Sequence, residues 1–129
     1  MSKFYDDYYD IYKKLAFSDS IYPQLEAFKS LAEQVKENNA KMIFAGNGAS
    51  AAISAHGAVD FTKQAKVRGI TFNEADLITC FANDFGYDNW MAEGVKHYAD
   101  PNDVVVLTSV SGTSPSVVNA AKVAKEMGL

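Results

Sequence analysis

Cysteine, proline, histidine and tryptophan are scarce in this sequence of 129 residues, which contains one, three, two and one of them. The single cysteine, Cys80, excludes an internal disulfide framework and any zinc site built from several cysteines. No run of about 18 apolar residues is present, so no transmembrane helix is expected. The first ten residues, MSKFYDDYYD, lack the basic start and the apolar stretch of a signal peptide. The cytoplasm is therefore the expected compartment.

Basic residues are fewer than acidic ones in this sequence. Twelve lysines and arginines stand against 16 aspartates and glutamates, which gives a net charge of −4. Because no basic cluster is present, nucleic acid is not an expected partner. A phosphorylated small molecule stays compatible with the sequence, since helix N-termini can supply a local positive field. The length corresponds to about one domain, and a hydrophobic content of 48% is ordinary for a globular protein.

The first 38 residues predict a pair of helices. Apolar and aromatic residues recur at spacings of three and four over 4–17 and again over 21–36. Ser20 is the expected N-cap of the second helix. The tyrosine-rich first helix is compatible with core packing and with a subunit interface, where tyrosine is favoured. We therefore separate an N-terminal helical pair, 1–38, which we expect to mediate oligomerisation, from an α/β domain, 39–129.

After residue 40 the sequence alternates predicted strands and helices. Strands are predicted at 42–45, 67–72 and 104–108, and helices at 50–65, 73–82, 87–98 and 115–128. This order predicts a parallel sheet with right-handed crossovers in a three-layer αβα sandwich, for which we assume the flavodoxin-like strand order. We expect a helix break near 83–86, Cys80 in the core, and Ser114 as the N-cap of the last helix. Because three strands make a thin sheet, we also expect the domain to be incomplete at its C-terminus.

Two loops rich in glycine and serine each follow a predicted strand and open a predicted helix. The first, 45–50 (AGNGAS), contains glycines that allow a tight turn and a close backbone approach to a ligand. The second, 109–114 (SVSGTS), offers hydroxyls and backbone N–H groups that suit phosphate oxygens without lysine or arginine. Each is also compatible with a simple strand-to-helix turn. In a sheet of order 2-1-3 the two loops would meet at the switch point, where such folds bind ligands.

Three further polar features are candidates for chemistry. His56 and Asp60 lie four residues apart and share a helix face, which suits metal binding, proton transfer or an ordinary surface pair. Asp84 is able to cap the following helix or to accept hydrogen bonds from sugar hydroxyls. His97 lies beside Lys96 on an amphipathic helix and is interpreted as a surface residue.

In their order and spacing these segments resemble the sugar isomerase (SIS) domain. The resemblance rests on GNGAS at 46–50, His56 six residues later, NDFGY at 83–87 and SVSGTS at 109–114. It is greatest to the phosphoheptose isomerase group, which converts sedoheptulose 7-phosphate to D-glycero-D-manno-heptose 7-phosphate for lipopolysaccharide heptose biosynthesis. The resemblance spans the chain and implies the SIS fold, a phosphorylated sugar as substrate, zinc as cofactor, and a homotetramer that uses the N-terminal helices.

The resemblance also implies roles for individual residues. The implied substrate-binding residues are Asn47, Gly48, Ala49, Ser50, Asn83, Asp84, Ser109, Val110, Ser111 and Ser114. It implies that His56 and Asp60 bind zinc, and that Asp60, where the family has a glutamate, is the catalytic base. Aspartate is one methylene shorter, which reduces the reach of the carboxylate by about 1.5 Å. The sequence also lacks the glutamine and second histidine that the family draws from a C-terminal helix.

The expected reaction is an aldose–ketose isomerisation. One group removes a proton from the carbon beside the carbonyl, and another returns a proton to the neighbouring carbon. The alternative is a non-catalytic SIS module that binds a sugar phosphate or a protein partner. Phosphate loops retained beside a weakened acid–base pair favour this alternative, whereas rescue by Asp60→Glu would favour the enzyme.

Overall fold

The computed structural model describes residues 2–129, which divide into two compact units. The first, up to Leu31, contains helix α1 (Ser2–Ala16), a short 3-10 turn (Asp19–Ile21) and most of helix α2 (Tyr22–Glu37). The predicted N-cap at Ser20 is wrong, because the 3-10 turn precedes α2. Ser18 caps that turn, and its hydroxyl accepts the backbone N–H of Ser20 at 3.3 Å.

Helix α1 buries none of its residues. Its apolar stripe is exposed throughout and consists of Phe4, Tyr5, Tyr8, Tyr9, Ile11, Tyr12 and Leu15. Neighbouring rings contact one another edge to face, as in the pair Tyr8 and Tyr9, whose centroids lie 5.8 Å apart. The interpretation of this stripe as core of the same chain is therefore wrong. The interface interpretation and the division at residue 38 stay predictions.

A parallel sheet of three strands organises the second unit, 32–129. Strand β1 (Lys41–Gly46) lies between β2 (Arg68–Thr71) and β3 (Val104–Thr108). Ile43 is paired with Ile70 on one side and with Val105 on the other, and both pairings are parallel. The predicted sheet and its order 2-1-3 are thereby confirmed.

Helices cover both faces of this sheet, which confirms the predicted three-layer sandwich. The helices are α3 (Ala49–Asp60), which continues into a π-helical turn (Phe61–Ala65), α4 (Ala75–Phe85), α5 (Trp90–Tyr98) and α6 (Pro115–Glu126). Side chains of β1 point alternately to opposite faces. Phe44 lies within 3.5 Å of the Cβ position of Gly57 in α3, whereas Ile43 enters the core formed with α5 and α6. Because β1 is covered on both sides, its sequence is a continuous apolar run.

Helix α4 is longer than the sequence pattern predicts. It continues to Phe85 and ends at Gly86, whose φ is +83°, so the predicted break near 83–86 begins too early. Asp84 is consequently inside a helix and does not cap the next one, whose N-cap is Asn89. Cys80 is exposed, not buried as predicted. The core-facing stripe of α4 consists of Leu77, Ile78, Phe81 and Ala82, and Cys80 falls outside it.

Other local predictions hold. Ser114 is the N-cap of α6, and Pro115 occupies its first turn. His97 is exposed, as expected for a surface residue. Among residues 2–129, no helix has the length and apolar character needed to cross a membrane.

An ion-pair cluster lies at the amino end of the sheet. The Lys41 Nζ donates to Asp100 at 2.6 Å and to Asp103 at 2.5 Å. Asp103 is 2% exposed, and it also accepts the backbone N–H groups of Lys41 and Asp100 at 2.8 and 2.7 Å. Burial by itself lowers the pKa of Lys41, but its hydrogen bonds and charge interactions with the two aspartates raise this pKa above 10.5. The cluster ties the start of β1 to the turn before β3.

Candidate functional site

A cleft of about 300 Å³ lies at the carboxyl ends of β1 and β3. It is lined by Asn47, Ala49, Ser50, Thr108, Ser109, Val110, Ser111, Ser114 and Val117. The loops at 45–50 and 109–114 meet here because β1 and β3 are neighbours, and parallel strands end at the same edge. Within the part of the chain that the structure describes, no lysine or arginine lines this cleft.

Two helices begin at the cleft, α3 at Ala49 and α6 at Pro115. Their N-terminal N–H groups and the positive ends of their dipoles therefore lie at its edge. Hydroxyls shape the loop before α6, because Ser109 accepts the N–H of Gly112 at 3.0 Å and Ser111 accepts that of Thr113 at 3.2 Å. This arrangement can hold an anion through dipoles and hydroxyls without a charged side chain.

The two loops approach each other closely at Gly46. A Cβ atom on Gly46 would lie 2.8 Å from the backbone carbon of Ser50 and 2.9 Å from the carbonyl oxygen of Thr108. Behind this contact, the buried Ser54 of α3 donates a hydrogen bond from its hydroxyl to the Thr108 hydroxyl at 3.0 Å. The start of α3 is thus fixed against the end of β3.

The side chain of Asn47 is held from two sides. Its amide nitrogen donates to the Ser116 hydroxyl at 2.9 Å, and its amide oxygen accepts from the Tyr87 hydroxyl at 3.1 Å. Ser116 is 2% exposed. Sequence reasoning missed both partners, which lie 40 and 69 residues from Asn47. It assigned Tyr87 to the next helix, whereas Tyr87 lies in the turn before α5 and is exposed.

His56 and Asp60 share a face of α3, as predicted, with His56 Nε2 3.6 Å from Asp60 Oδ2. Both side chains are exposed, and neither lines the cleft. A helix rises 1.5 Å per residue, so Asp60 lies roughly 16 Å along the axis from Ala49 at the cleft. The fold therefore places this pair at the opposite end of α3 from the serine-rich loop.

The resemblance to the SIS domain implies zinc at His56 and Asp60. Across residues 2–129, no group of three or more histidine, cysteine, aspartate and glutamate side chains is arranged to hold a metal ion. Zinc sites use at least three protein ligands. The pair does not complete a zinc site by itself, so zinc there stays a prediction and no chemical step is derived through it.

The predicted site residues fall into two groups. Asn47, Ala49, Ser50, Ser109, Val110, Ser111 and Ser114 line the cleft, and Gly48 lies in the turn among them with a φ of +57°. Asn83 and Asp84 are exposed in the last turn of α4, where the Asn83 amide donates to the Asp84 carboxylate at 2.8 Å. These two residues do not line the cleft, and their contact with substrate stays a prediction.

Comparisons with known proteins agree with this architecture. A solved phosphoheptose isomerase structure from Neisseria gonorrhoeae is similar with a TM-score of 0.69 and 30% identity, covering 90% of this chain and 70% of that chain. A phosphoheptose isomerase structure from Francisella tularensis gives a TM-score of 0.84 at 20% identity, covering 96% of this chain and 69% of that one. The second likeness shows the fold alone.

Curated relatives are similar over most of the chain. The phosphoheptose isomerase of Aliarcobacter butzleri is 34% identical over 110 residues, which cover 81% of this chain and 58% of that protein. That of Thermodesulfovibrio yellowstonii is 32% identical over 123 residues, covering 91% of this chain and 61% of that protein. The chain thus spans less than two thirds of the length of these relatives. The family model described as the SIS domain matches residues 4–129, and the chain therefore belongs to the SIS domain family.

Proposed function

We propose that the chain is the sugar-phosphate-binding part of an aldose–ketose isomerase that acts on sedoheptulose 7-phosphate. The observation that carries this proposal is the cleft where the loops 45–50 and 109–114 meet. It combines two helix N-termini with serine hydroxyls, the chemistry that binds a phosphate without basic side chains. The heptose substrate and the isomerisation come from the similar proteins, which are named phosphoheptose isomerase.

The phosphate end of the ligand would occupy the serine-rich side of the cleft. Ser109, Ser111 and Ser114 line that side, and each hydroxyl is able to donate one hydrogen bond to a phosphate oxygen. A hydrogen bond to a charged group contributes about 1.5–3 kcal/mol. A few such bonds are enough to fix the phosphate and to orient the sugar chain for reaction.

Proton transfer requires that the reacting carbons of the bound sugar reach the predicted base, Asp60. Eight bonds separate C1 of the heptose from its phosphorus, which is roughly 10 Å in an extended chain at about 1.2 Å per bond. Asp60 lies roughly 16 Å along α3 from the cleft. The extended sugar, the Asp60 side chain and a hydrogen-bond length of about 3 Å together cover roughly this distance. Neither His56 nor Asp60 lines the cleft, however, and this favours the second candidate function, in which the chain binds a sugar phosphate without turning it over.

We also propose that the chain self-associates, as a homotetramer, through the exposed aromatic stripe of α1 and the neighbouring residues of α2. Seven large apolar or aromatic side chains of α1 are exposed, and contiguous exposed apolar patches mark interaction surfaces. A cytoplasmic location fits the single cysteine and a phosphorylated sugar as ligand, and it stays part of this proposal.

A phosphorus NMR titration and time course with sedoheptulose 7-phosphate tests the binding and the chemistry separately. We expect the substrate signal to broaden with added protein, and Ser111→Asp to weaken binding at least about tenfold because its carboxylate repels phosphate. Asn38→Asp is the matched control, since it adds the same charge at an exposed residue that follows α2. Its affinity should stay within about twofold of the wild type.

The time course then distinguishes the two candidate functions. A new sugar-phosphate resonance that is lost in Asp60→Asn and restored in Asp60→Glu establishes an isomerase that uses Asp60. Binding without conversion, with and without added zinc, is the result expected both for the non-catalytic module and for an isolated part of a longer isomerase. A substrate signal unchanged at high protein concentration contradicts both functions.

A further inference from the structure

We propose that Tyr87 and Ser116 are positioning residues that orient the Asn47 carboxamide so that it presents an N–H donor to the ligand in the cleft. The inference rests on the proposed function for its ligand, an oxygen of a sugar phosphate. It adds two residues outside the glycine- and serine-rich loops to the site and gives each a defined task.

The argument is a count of donors and acceptors on one amide. The Asn47 nitrogen carries two hydrogens, and one of them is donated to Ser116 Oγ at 2.9 Å. The amide oxygen accepts from the Tyr87 hydroxyl at 3.1 Å. The second amide hydrogen is the donor left for the cleft, which Asn47 lines.

Tyr87 and Ser116 hold the Asn47 amide from its two ends. The phenol hydroxyl donates to the amide oxygen, and the amide nitrogen lies toward Ser116. Each of these hydrogen bonds contributes about 0.5–1.5 kcal/mol to keeping the amide in one orientation. The site then selects ligand atoms that accept hydrogen bonds, such as phosphate or carbonyl oxygens.

Tyr87 suits this task because it lies outside the packed core. Tyr87 is 56% exposed, and its ring packs against the ring of the buried Trp90, with the two centroids 6.5 Å apart. Removing the hydroxyl in Tyr87→Phe therefore leaves the ring contact intact. Tyr98→Phe is the matched control, because Tyr98 is 48% exposed and its ring likewise packs on a buried neighbour, Phe72, at 5.5 Å.

The first measurement is nitrogen-15 NMR of the side-chain amides, with the Asn47 pair assigned by its loss in Asn47→Asp. In Tyr87→Phe we expect the heteronuclear NOE of the Asn47 amide to fall and its shifts to move. The Asn119 amide, which donates to the Asp88 carbonyl at 3.0 Å, should be unchanged. In Tyr98→Phe both amides should match the wild type. An Asn47 amide that is equally ordered in Tyr87→Phe overturns the inference.

The second measurement is the affinity of each variant for sedoheptulose 7-phosphate. Tyr87→Phe should bind about 3- to 10-fold more weakly than the wild type, the equivalent of one lost hydrogen bond. Ser116→Ala should loosen the same amide, and because Ser116 is buried, its unfolding midpoint is measured alongside. Unchanged affinity in Tyr87→Phe overturns the inference while the proposed function stands. A wild type that binds no ligand overturns the proposed function itself, whatever the amide spectra show.

Discussion

Gly46 is the residue on which the close approach of the two site loops depends. Any side chain there would lie 2.8–2.9 Å from backbone atoms of Ser50 and Thr108, which cannot turn aside as a flexible side chain can. We expect Gly46→Ala to lower the free energy of unfolding by about 1–3 kcal/mol or more, since backbone must move to relieve the overlap. Urea unfolding followed by circular dichroism measures the change.

Gly57 is the matched control for this substitution. Its Cβ would meet the Phe44 ring at 3.5 Å, an ordinary contact, and it lies inside α3. Gly57→Ala should therefore raise the free energy of unfolding by about 0.5–1 kcal/mol, because alanine loses less conformational freedom in a helix. Equal effects of the two substitutions would show that the approach of the loops does not depend on Gly46.

At the scale of single residues, the sequence predicts the site loops 45–50 and 109–114 but not the residues that form hydrogen bonds with Asn47. Asn47 and Ser111 are recognisable because they lie in short segments rich in glycine and serine, which follow apolar runs. Ser116 and Tyr87 carry no such signal, since each is defined by a contact with Asn47 across 40 residues or more. The His56–Asp60 pair is predicted by helical spacing, but its distance from the cleft follows only from the length of α3.

At the scale of elements, the Lys41 cluster links the start of β1 to the turn before β3. The hydrogen bond and charge of Lys41 hold the pKa of Asp100 below its ordinary value of 3.8. A lowered folded-state pKa means that the ion pair stabilises the fold above about pH 3.8 and is lost as the pH falls through the folded pKa. The raised pKa of Lys41 gives the opposite sign, with stabilisation below about pH 10.5 that is lost as the pH rises through its folded pKa.

We therefore expect Asp100→Asn to be less stable than the wild type at pH 7, and the difference to shrink as the pH falls below 3.8. Thermal unfolding midpoints measured between pH 2.5 and 7 test this. Asp88→Asn is the control, because it removes an exposed carboxylate that makes no ion pair in the described part of the chain. The difference between its unfolding midpoint and that of the wild type should be the same at every pH. A difference that persists unchanged to pH 2.5 in Asp100→Asn would contradict the ion-pair explanation.

Periodicity explains why the elements themselves are predictable and why some of their ends are not. The apolar run of β1 predicts a buried strand, and the valine-rich β3 predicts a second strand, which is half-buried in the structure. The end of α4 is harder, because the polar pair Asn83 and Asp84 resembles a turn while Gly86, three residues later, provides the actual stop. The apolar stretch around Cys80 predicts a core position, but residue type alone does not show which helix face a residue occupies, and Cys80 is exposed.

At the scale of the whole molecule, the sheet is formed by contacts within the chain, whereas the aromatic stripe of α1 is exposed. The alternation of strands and helices predicts a parallel sheet with right-handed crossovers, whereas the strand order 2-1-3 is an assumption that the structure confirms. The stripe of α1 is exposed in the single chain, so contacts within the described residues do not define a partner for it. The stripe nevertheless predicts an interaction surface, because Phe4, Tyr8, Tyr12 and Leu15 share one helix face and are all exposed.

Self-association through residues 1–36 is the corresponding prediction. Sedimentation velocity over a range of concentrations should give a mass several times that of one chain. Leu15→Glu places a charge in the stripe, where Leu15 is 71% exposed, and should shift the distribution toward the monomer because burying that charge is costly. Met127→Glu adds the same charge at an exposed apolar residue outside these helices and should leave the distribution unchanged. A wild-type chain that is folded and monomeric at every concentration would contradict the prediction, and an equal shift in both variants would locate the interface elsewhere.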